Sequence, residues 1–209
     1  MPPATRLDAA AWVDAAYATF AADGLDAVRV EPVARALGAT KGSFYWHFAD
    51  RQALLDAVLA RWEEETERIV AETEATPGDA QARLAALFTA VGRRATPRTG
   101  EQLLYAQTDR PGVAAALGRV TARRTDLLCR LLEEAGYDAE EARARATIAL
   151  ATVVGAEHLA LAASHLAPRG DDARRVRDLS LAMILGTPVP PTPDAPRGPS
   201  SLPGHAPGS

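Results

Sequence analysis

Apolar side chains recur at intervals of three and four along nearly the whole chain up to residue 186, and nowhere do they alternate residue by residue. That period is helical, and Gly and Pro fall between the periodic segments rather than inside them. Trp12, Ala16 and Phe20 mark the buried face of a first helix from Asp8 to Ala22, stopped by Gly24. Val33, Ala34 and Leu37 predict a short second helix from Pro32 to Leu37, with the proline suited to a first turn and Gly38 as its end. Thr40 stands where it would cap a third helix, Lys41 to Phe48. Asp50 caps a long fourth, in which Leu54, Leu55, Val58, Trp62 and Ile69 step by three and four.

Thr76-Pro77-Gly78-Asp79 and the segment Thr96–Gly100 break the pattern again. A helix is expected from Asp79 to about Arg94, a short one over about Glu101–Thr108, and a longer one opened by Pro111 and ended by Gly136. Asp138-Ala139-Glu140-Glu141 resembles a capping box and launches a helix predicted to run to Leu166. Pro168-Arg169-Gly170-Asp171 turns the chain into a last helix, Asp172 to Leu185. The expected fold class is therefore all-α, with about nine helices. Its expected divisions are a three-helix unit at 1–50, a larger helical domain at 51–186 and a tail at 187–209. Eight of the fifteen prolines crowd into that 23-residue tail, a composition that predicts disorder.

One stretch carries chemistry as well as pattern. Between Thr40 and Phe48, four of the eleven aromatic residues occupy five positions, and Lys41 is the chain's single lysine. A helix-turn-helix needs a small residue where two helices meet, a tight turn, and an apolar set that locks their angle. Ala34 and Gly38 supply the first two; Val33, Leu37, Phe44 and Phe48, with Phe20 and Leu54 alongside, supply the third. The small polar front end then suits base edges, and Tyr45, Trp46 and His47 carry polar tips that suit phosphate.

Charge narrows how such a unit would work. Net charge is −4, and residues 1–50 hold four basic side chains against six acidic ones. Nucleic-acid binding must then come from the placement of a few groups rather than from a basic field. A lone Cys129 excludes an intrachain disulfide, and it is expected to be a small buried residue rather than a redox sensor. The N-terminus shows no signal-like apolar core, and Ala146–Ala156 is too short to span a bilayer. A cytoplasmic protein with no membrane partner is the expectation.

In the residues Gly24, Val33-Ala34, Leu37-Gly38, Lys41 through Phe48, Arg51 and Leu54-Leu55 the sequence resembles the tetracycline-repressor (TetR) family of transcriptional regulators. The resemblance covers about residues 8–58, and the run 41–48 is highly specific. It implies that Lys41, Gly42 and Ser43 face base edges, and that Tyr45, Trp46 and His47 lie at the phosphate backbone. It also implies that Arg51 holds a phosphate, with Thr40 capping the third helix and touching phosphate too. The family usually places Thr or Ser at the start of the second helix, whereas here Arg29-Val30-Glu31-Pro32 has no hydroxyl. Arg29 is then a candidate for the phosphate contact. Glu31 has two open roles: acceptor from a cytosine amino group, or a carboxylate favoured at a helix start.

The resemblance further implies a homodimer on a near-palindromic duplex operator, a small and largely apolar organic ligand, and regulation most often by repression. Polar residues inside apolar patterns make Trp62, Gln102, Tyr105, Thr108, Thr152, Glu157 and His158 the candidates to orient that ligand. The last two helices look like the dimerising pair, with Ala142, Ala146, Ala149 and Val153 as a small-residue ridge. His158 and His165 share a predicted helix face but stand two turns apart, too far for one ion, so no metal is expected. No catalytic motif is present, which argues against an enzyme, and no cofactor is expected. The alternative left open is a helical dimer that binds a small molecule or a protein and reads DNA poorly.

Overall fold

The computed structural model describes residues 8–92, 99–165 and 167–186, and within them every regular element is helical. Asp8 accepts from Ala11 N at 2.9 Å and starts α1 (Ala9–Asp23). Gly24, at φ 81°, ends it and leads into a 3-10 turn (Leu25–Ala27). Then follow α2 (Val30–Ala36), α3 (Lys41–Phe44) and α4 (Arg51–Glu74). The larger half adds α5 (Ala80–Gly92), α6 (Thr99–Leu104), α7 (Val113–Glu134), α8 (Ala139–Ala162) and α9 (Gly170–Leu185). Asp50, Asp79 and Asp138 each accept from the backbone N–H three residues on, so the expected cap residues work as read.

Several expected helices differ in extent. The third keeps α-helical form only to Phe44; Tyr45–His47 continue as turns, with Trp46 N on Ser43 O and His47 N on Phe44 O. The eighth stops at Ala162 rather than Leu166. Past Ala149 none of its side chains is fully buried, so little packing opposes the break that Pro168 imposes. His165 therefore lies beyond α8, and the shared face expected for it and His158 is not formed. The sixth is shorter than expected, and Gly112 at φ 79° starts α7 two residues later than Pro111 would. The expected Pro-rich tail and the break around Thr96 lie outside the described residues.

Two apolar clusters hold the helices. One gathers Trp12, Phe20, Phe44, Leu54 and Trp62 with Leu104 and the Val113–Val120 end of α7. The other gathers Val70, Leu84, Phe88, Leu131, Ala146 and Ile184. Both α4 and α7 run through the two clusters. The expected division at residue 50 thus falls between two helices, but the core on either side of it is shared. Ala142, Ala146 and Ala149 are fully buried inside the protomer. The small-residue ridge therefore lets α8 pack closely within its own chain, and another face must serve any dimer.

Candidate functional site

Phe44 anchors the candidate reading surface. It is fully buried, meets Trp12 edge-on at 5.4 Å, and stacks on Phe48 at 5.4 Å and 20°. Those contacts press α3 onto α1 and leave the residues around Phe44 outside. Trp46 is 84% exposed and Tyr45 55%, while Lys41, Gly42 and His47 are exposed as well. Gly38, at φ 62°, makes the turn between α2 and α3, and Ala39 N bonds back to Ala34 O at 2.8 Å. Thr40 caps α3 by accepting from Ser43 N at 3.1 Å, and Ser43 Oγ donates to Thr40 O at 2.7 Å. Of the expected base-facing trio, Ser43 is thus half-buried and already bonded locally.

Arg29 is the N-cap residue of α2, exposed and without a side-chain cap bond. Glu31, on the first turn of α2, receives Lys41 Nζ at 2.6 Å. The shared hydrogen bond holds the Glu31 carboxyl below its ordinary 4.5 and the Lys41 ammonium above its ordinary 10.5. Both groups are therefore charged throughout the neutral range, and no physiological pH change opens the pair.

Arg51 turns inward. Its Nε donates to Val28 O at 2.7 Å and its Nη2 to Leu25 O at 2.9 Å, tying the start of α4 to the turn before α2. The family resemblance implies a phosphate contact for Arg51; the two bonds add a clamp between helices. Arg51→Ala is expected to lower stability by about 2 kcal/mol, because charged hydrogen bonds to two carbonyls are lost together. Arg51→Lys should not restore it, since an ammonium lacks the guanidinium's spaced donors. Urea unfolding of the three proteins measures both.

A second feature lies in the larger half. An apolar cavity of about 740 Å³, its open mouth included, is walled by residues such as Ile69, Val70, Phe88, Leu127 and Val153. At its polar end Glu101 is buried, accepting from Trp62 Nε1 at 3.2 Å and from the Arg124 guanidinium. Burial works against the Arg124 charge, but the Glu101 carboxylate beside it wins, and the guanidinium stays protonated. Thr66 joins from α4, its Oγ1 3.4 Å from Arg124 Nη2.

Of the seven residues expected around a ligand, only Glu157 lines this cavity. Trp62 and Gln102 stand behind it, Trp62 holding Glu101 and Gln102 donating to Glu157. Tyr105 packs edge-on against His158 at 5.7 Å, and burial, then the Glu101 charge, pushes its phenol up from 10. His158 and Thr108 are exposed, and Thr152 Oγ1 turns back to Ile148 O at 2.8 Å. Glu101, Thr66 and Arg124 went unnoticed because a charged or hydroxyl residue within a polar-looking stretch gives no sign that tertiary packing will bury it. Among the described residues, no group of three or more His, Cys, Asp or Glu converges to hold a metal. Burial pushes the Cys129 thiol up, away from reactive thiolate character.

The family model for bacterial regulatory proteins of the tetR family matches residues 13–58, the span that contains the reading surface. The uncharacterized HTH-type transcriptional regulator TtgW of Pseudomonas putida is 30% identical over 101 residues, which cover 48% of this chain and 75% of TtgW. The chain belongs to the TetR family. The HTH-type transcriptional regulator SrpR of Pseudomonas putida is also 30% identical over 101 residues, about half of its own length at 47%. Solved folds agree over nearly the whole described chain. A transcriptional regulator from Rhodococcus superposes with a TM-score of 0.72 at 22% identity, covering 86% of this chain and 97% of that one. A TetR transcriptional regulator from Legionella pneumophila gives 0.70 at 17% identity, with coverage of 86% and 97%. As a TetR-family member the protein is a regulator rather than an enzyme, and its chemistry is recognition.

Proposed function

We propose that this TetR-family protein represses transcription as a homodimer on a near-palindromic operator and leaves it when a small, largely apolar organic molecule fills the cavity. The observation that carries this reading is the exposure of Tyr45 and Trp46 beside Lys41 on a turn whose next aromatic, Phe44, is fully buried. Water-exposed aromatics held on so rigid a base suit a phosphate backbone, with Lys41 and Gly42 advanced to base edges. The proposed DNA contacts are Arg29, Thr40, Lys41, Gly42, Tyr45, Trp46 and His47, with Ser43 reaching a base edge only through its hydroxyl oxygen. Arg51 supports them from behind.

The second copy has a place to sit. Ile148, Thr152, Gly155 and Leu159 follow one another at helical spacing on α8, with Ile148 and Leu159 exposed, and Val176, Leu179 and Met183 do so on α9. α8 is long and apolar enough to cross a membrane by length and composition only, a test that the core helix of a soluble protein also passes. A mate with the same two faces accounts for its apolar surface. Such a dimer would hold its two reading surfaces about one DNA turn apart, roughly 34–36 Å.

Ligand response has a short path. Glu101 on α6 sits at the polar end of the cavity with Gln102 behind it, while the other side of α6 presses on α1. Beyond it, Gln107 Nε2 reaches Asp26 at 3.0 Å and Arg110 pairs with the same carboxylate, next to the turn that leads into α2. A ligand that displaced α6 would change the seating of α1 and α2, and a differential affinity of ~1–3 kcal/mol between the two arrangements suffices. Selection of bound duplexes from a random pool, at near-physiological salt, tests the proposal. A palindromic motif that loses its base preference at one symmetric pair of positions with Lys41→Ala supports it; no motif from folded, dimeric protein overturns it.

A further inference from the structure

We propose that Glu31 and Lys41 form one reading unit, specific for a single G·C base pair in each half-site, in which Glu31 is the cytosine reader. The inference rests on the operator-binding role proposed above and gives that role a residue the family pattern does not supply. Lys41 Nζ and Glu31 Oε1 stand 2.6 Å apart, on different helices, and both side chains are 56% exposed. The pair presents a donor and an acceptor side by side on the reading surface.

A G·C pair presents the complementary array in the major groove. Guanine O6 and N7 accept, and the outer hydrogen of cytosine N4 donates. O6 and N4 are themselves joined by a Watson–Crick hydrogen bond, so they lie about 2.9 Å apart. That spacing is close to the one already set between Lys41 and Glu31. An ammonium with one hydrogen on Glu31 keeps two for O6 and N7, and a carboxylate holding Lys41 keeps lone pairs for N4. The two side chains can therefore bind the base pair without parting. An A·T pair reverses the polarity, setting the adenine amino group against Lys41 and thymine O4 against Glu31, and a T·A pair keeps it but puts the thymine methyl where Lys41 would meet guanine N7.

The same pairing explains how a carboxylate is tolerated on a surface that must meet phosphates. Lys41 neutralises Glu31, and Glu31 in turn withholds Lys41 from sequence-independent phosphate contact. Removing Glu31 should therefore loosen specificity while strengthening non-specific binding.

The test is random-pool selection with the wild-type homodimer, Glu31→Ala and Lys41→Ala, followed by salt titration on the selected duplex and on an unrelated one. Glu31→Ala is expected to lose a C preference of roughly tenfold to a hundredfold at one symmetric pair of positions, the rest of the motif surviving. Lys41→Ala should lose the G preference at those same base pairs. On the unrelated duplex, Glu31→Ala should bind more tightly, with a log–log salt slope steeper by about 0.9 per half-site as Lys41 becomes free for phosphate. A wild-type motif left unchanged by Glu31→Ala, one weakened evenly at every position, or losses at different base pairs in the two variants would each overturn the reading unit alone. A wild type that selects no motif would instead remove the operator-binding role and the reading unit with it.

Discussion

Leu159→Arg is expected to leave the protomer folded and to weaken operator binding by roughly 10²–10⁴-fold. Leu159 is 64% exposed and makes no core contact, so the change costs little within one chain. In the proposed dimer it would bury an unpaired guanidinium in an apolar seam. The loss in DNA affinity follows from linkage: once one half-site is bound, the second reading surface faces the DNA at an effective concentration of the order of millimolar, and monomers forgo that gain. Gly155 supplies a companion test from the same face. A Cβ there meets nothing within 4 Å in the protomer, yet Gly155→Leu would push a mate away. Sedimentation velocity and operator titration should change together for both variants. A Leu159→Arg protein that stays dimeric would place the interface elsewhere.

Gly100→Ala is expected to destabilise the fold by about 3 kcal/mol or more, far beyond the ordinary effect of one methyl group. A Cβ on Gly100 would lie 1.8 Å from Phe20 O and 2.7 Å from Phe20 C, so backbone must give way rather than a flexible side chain. Phe20 O also accepts from Gly24 N at 2.8 Å, and Phe20 itself is buried, so α1 has little room to retreat. Overpacking of this kind costs ~1–3 kcal/mol where side chains adjust and more where they cannot. Gly118 provides the contrast: exposed on α7, with nothing within 4 Å of its Cβ position, Gly118→Ala should stabilise by about 0.5–1 kcal/mol. Urea denaturation of the two variants beside the wild type decides the matter. Equal stabilities for Gly100→Ala and the wild type would show that α6 does not press on α1 as described. The same contact carries the proposed ligand response, so any Gly100→Ala protein that folds should bind operator abnormally even without ligand.

Much of the geometry of the candidate reading surface was legible because its determinants are local. Phe44 and Phe48 are four apart, Gly38 has the turn's positive φ, and Thr40 caps within three residues; each depends only on near neighbours. The alternation of buried and exposed positions around Phe44 follows from the same short-range geometry. The inward bonds of Arg51 were not legible because its partners, Leu25 O and Val28 O, lie more than twenty residues away. The Ala142–Ala149 ridge was recognised as a packing surface and given the wrong mate: periodicity marks which side of a helix is apolar, not which neighbour covers it.

The sequence by itself determined the all-helical architecture, the helix starts capped by aspartate and threonine, and a reading head matching the TetR pattern. These follow from hydrogen bonds and side-chain periods spanning fewer than about eight residues. Only the tertiary structure decided that Glu31 meets Lys41, that α6 presses its glycine on α1, and that Glu101 and Arg124 close an apolar cavity. Those outcomes depend on how helices distant in sequence cross. A charged side chain is written identically in the sequence whether such a crossing leaves it in water or buries it against a partner.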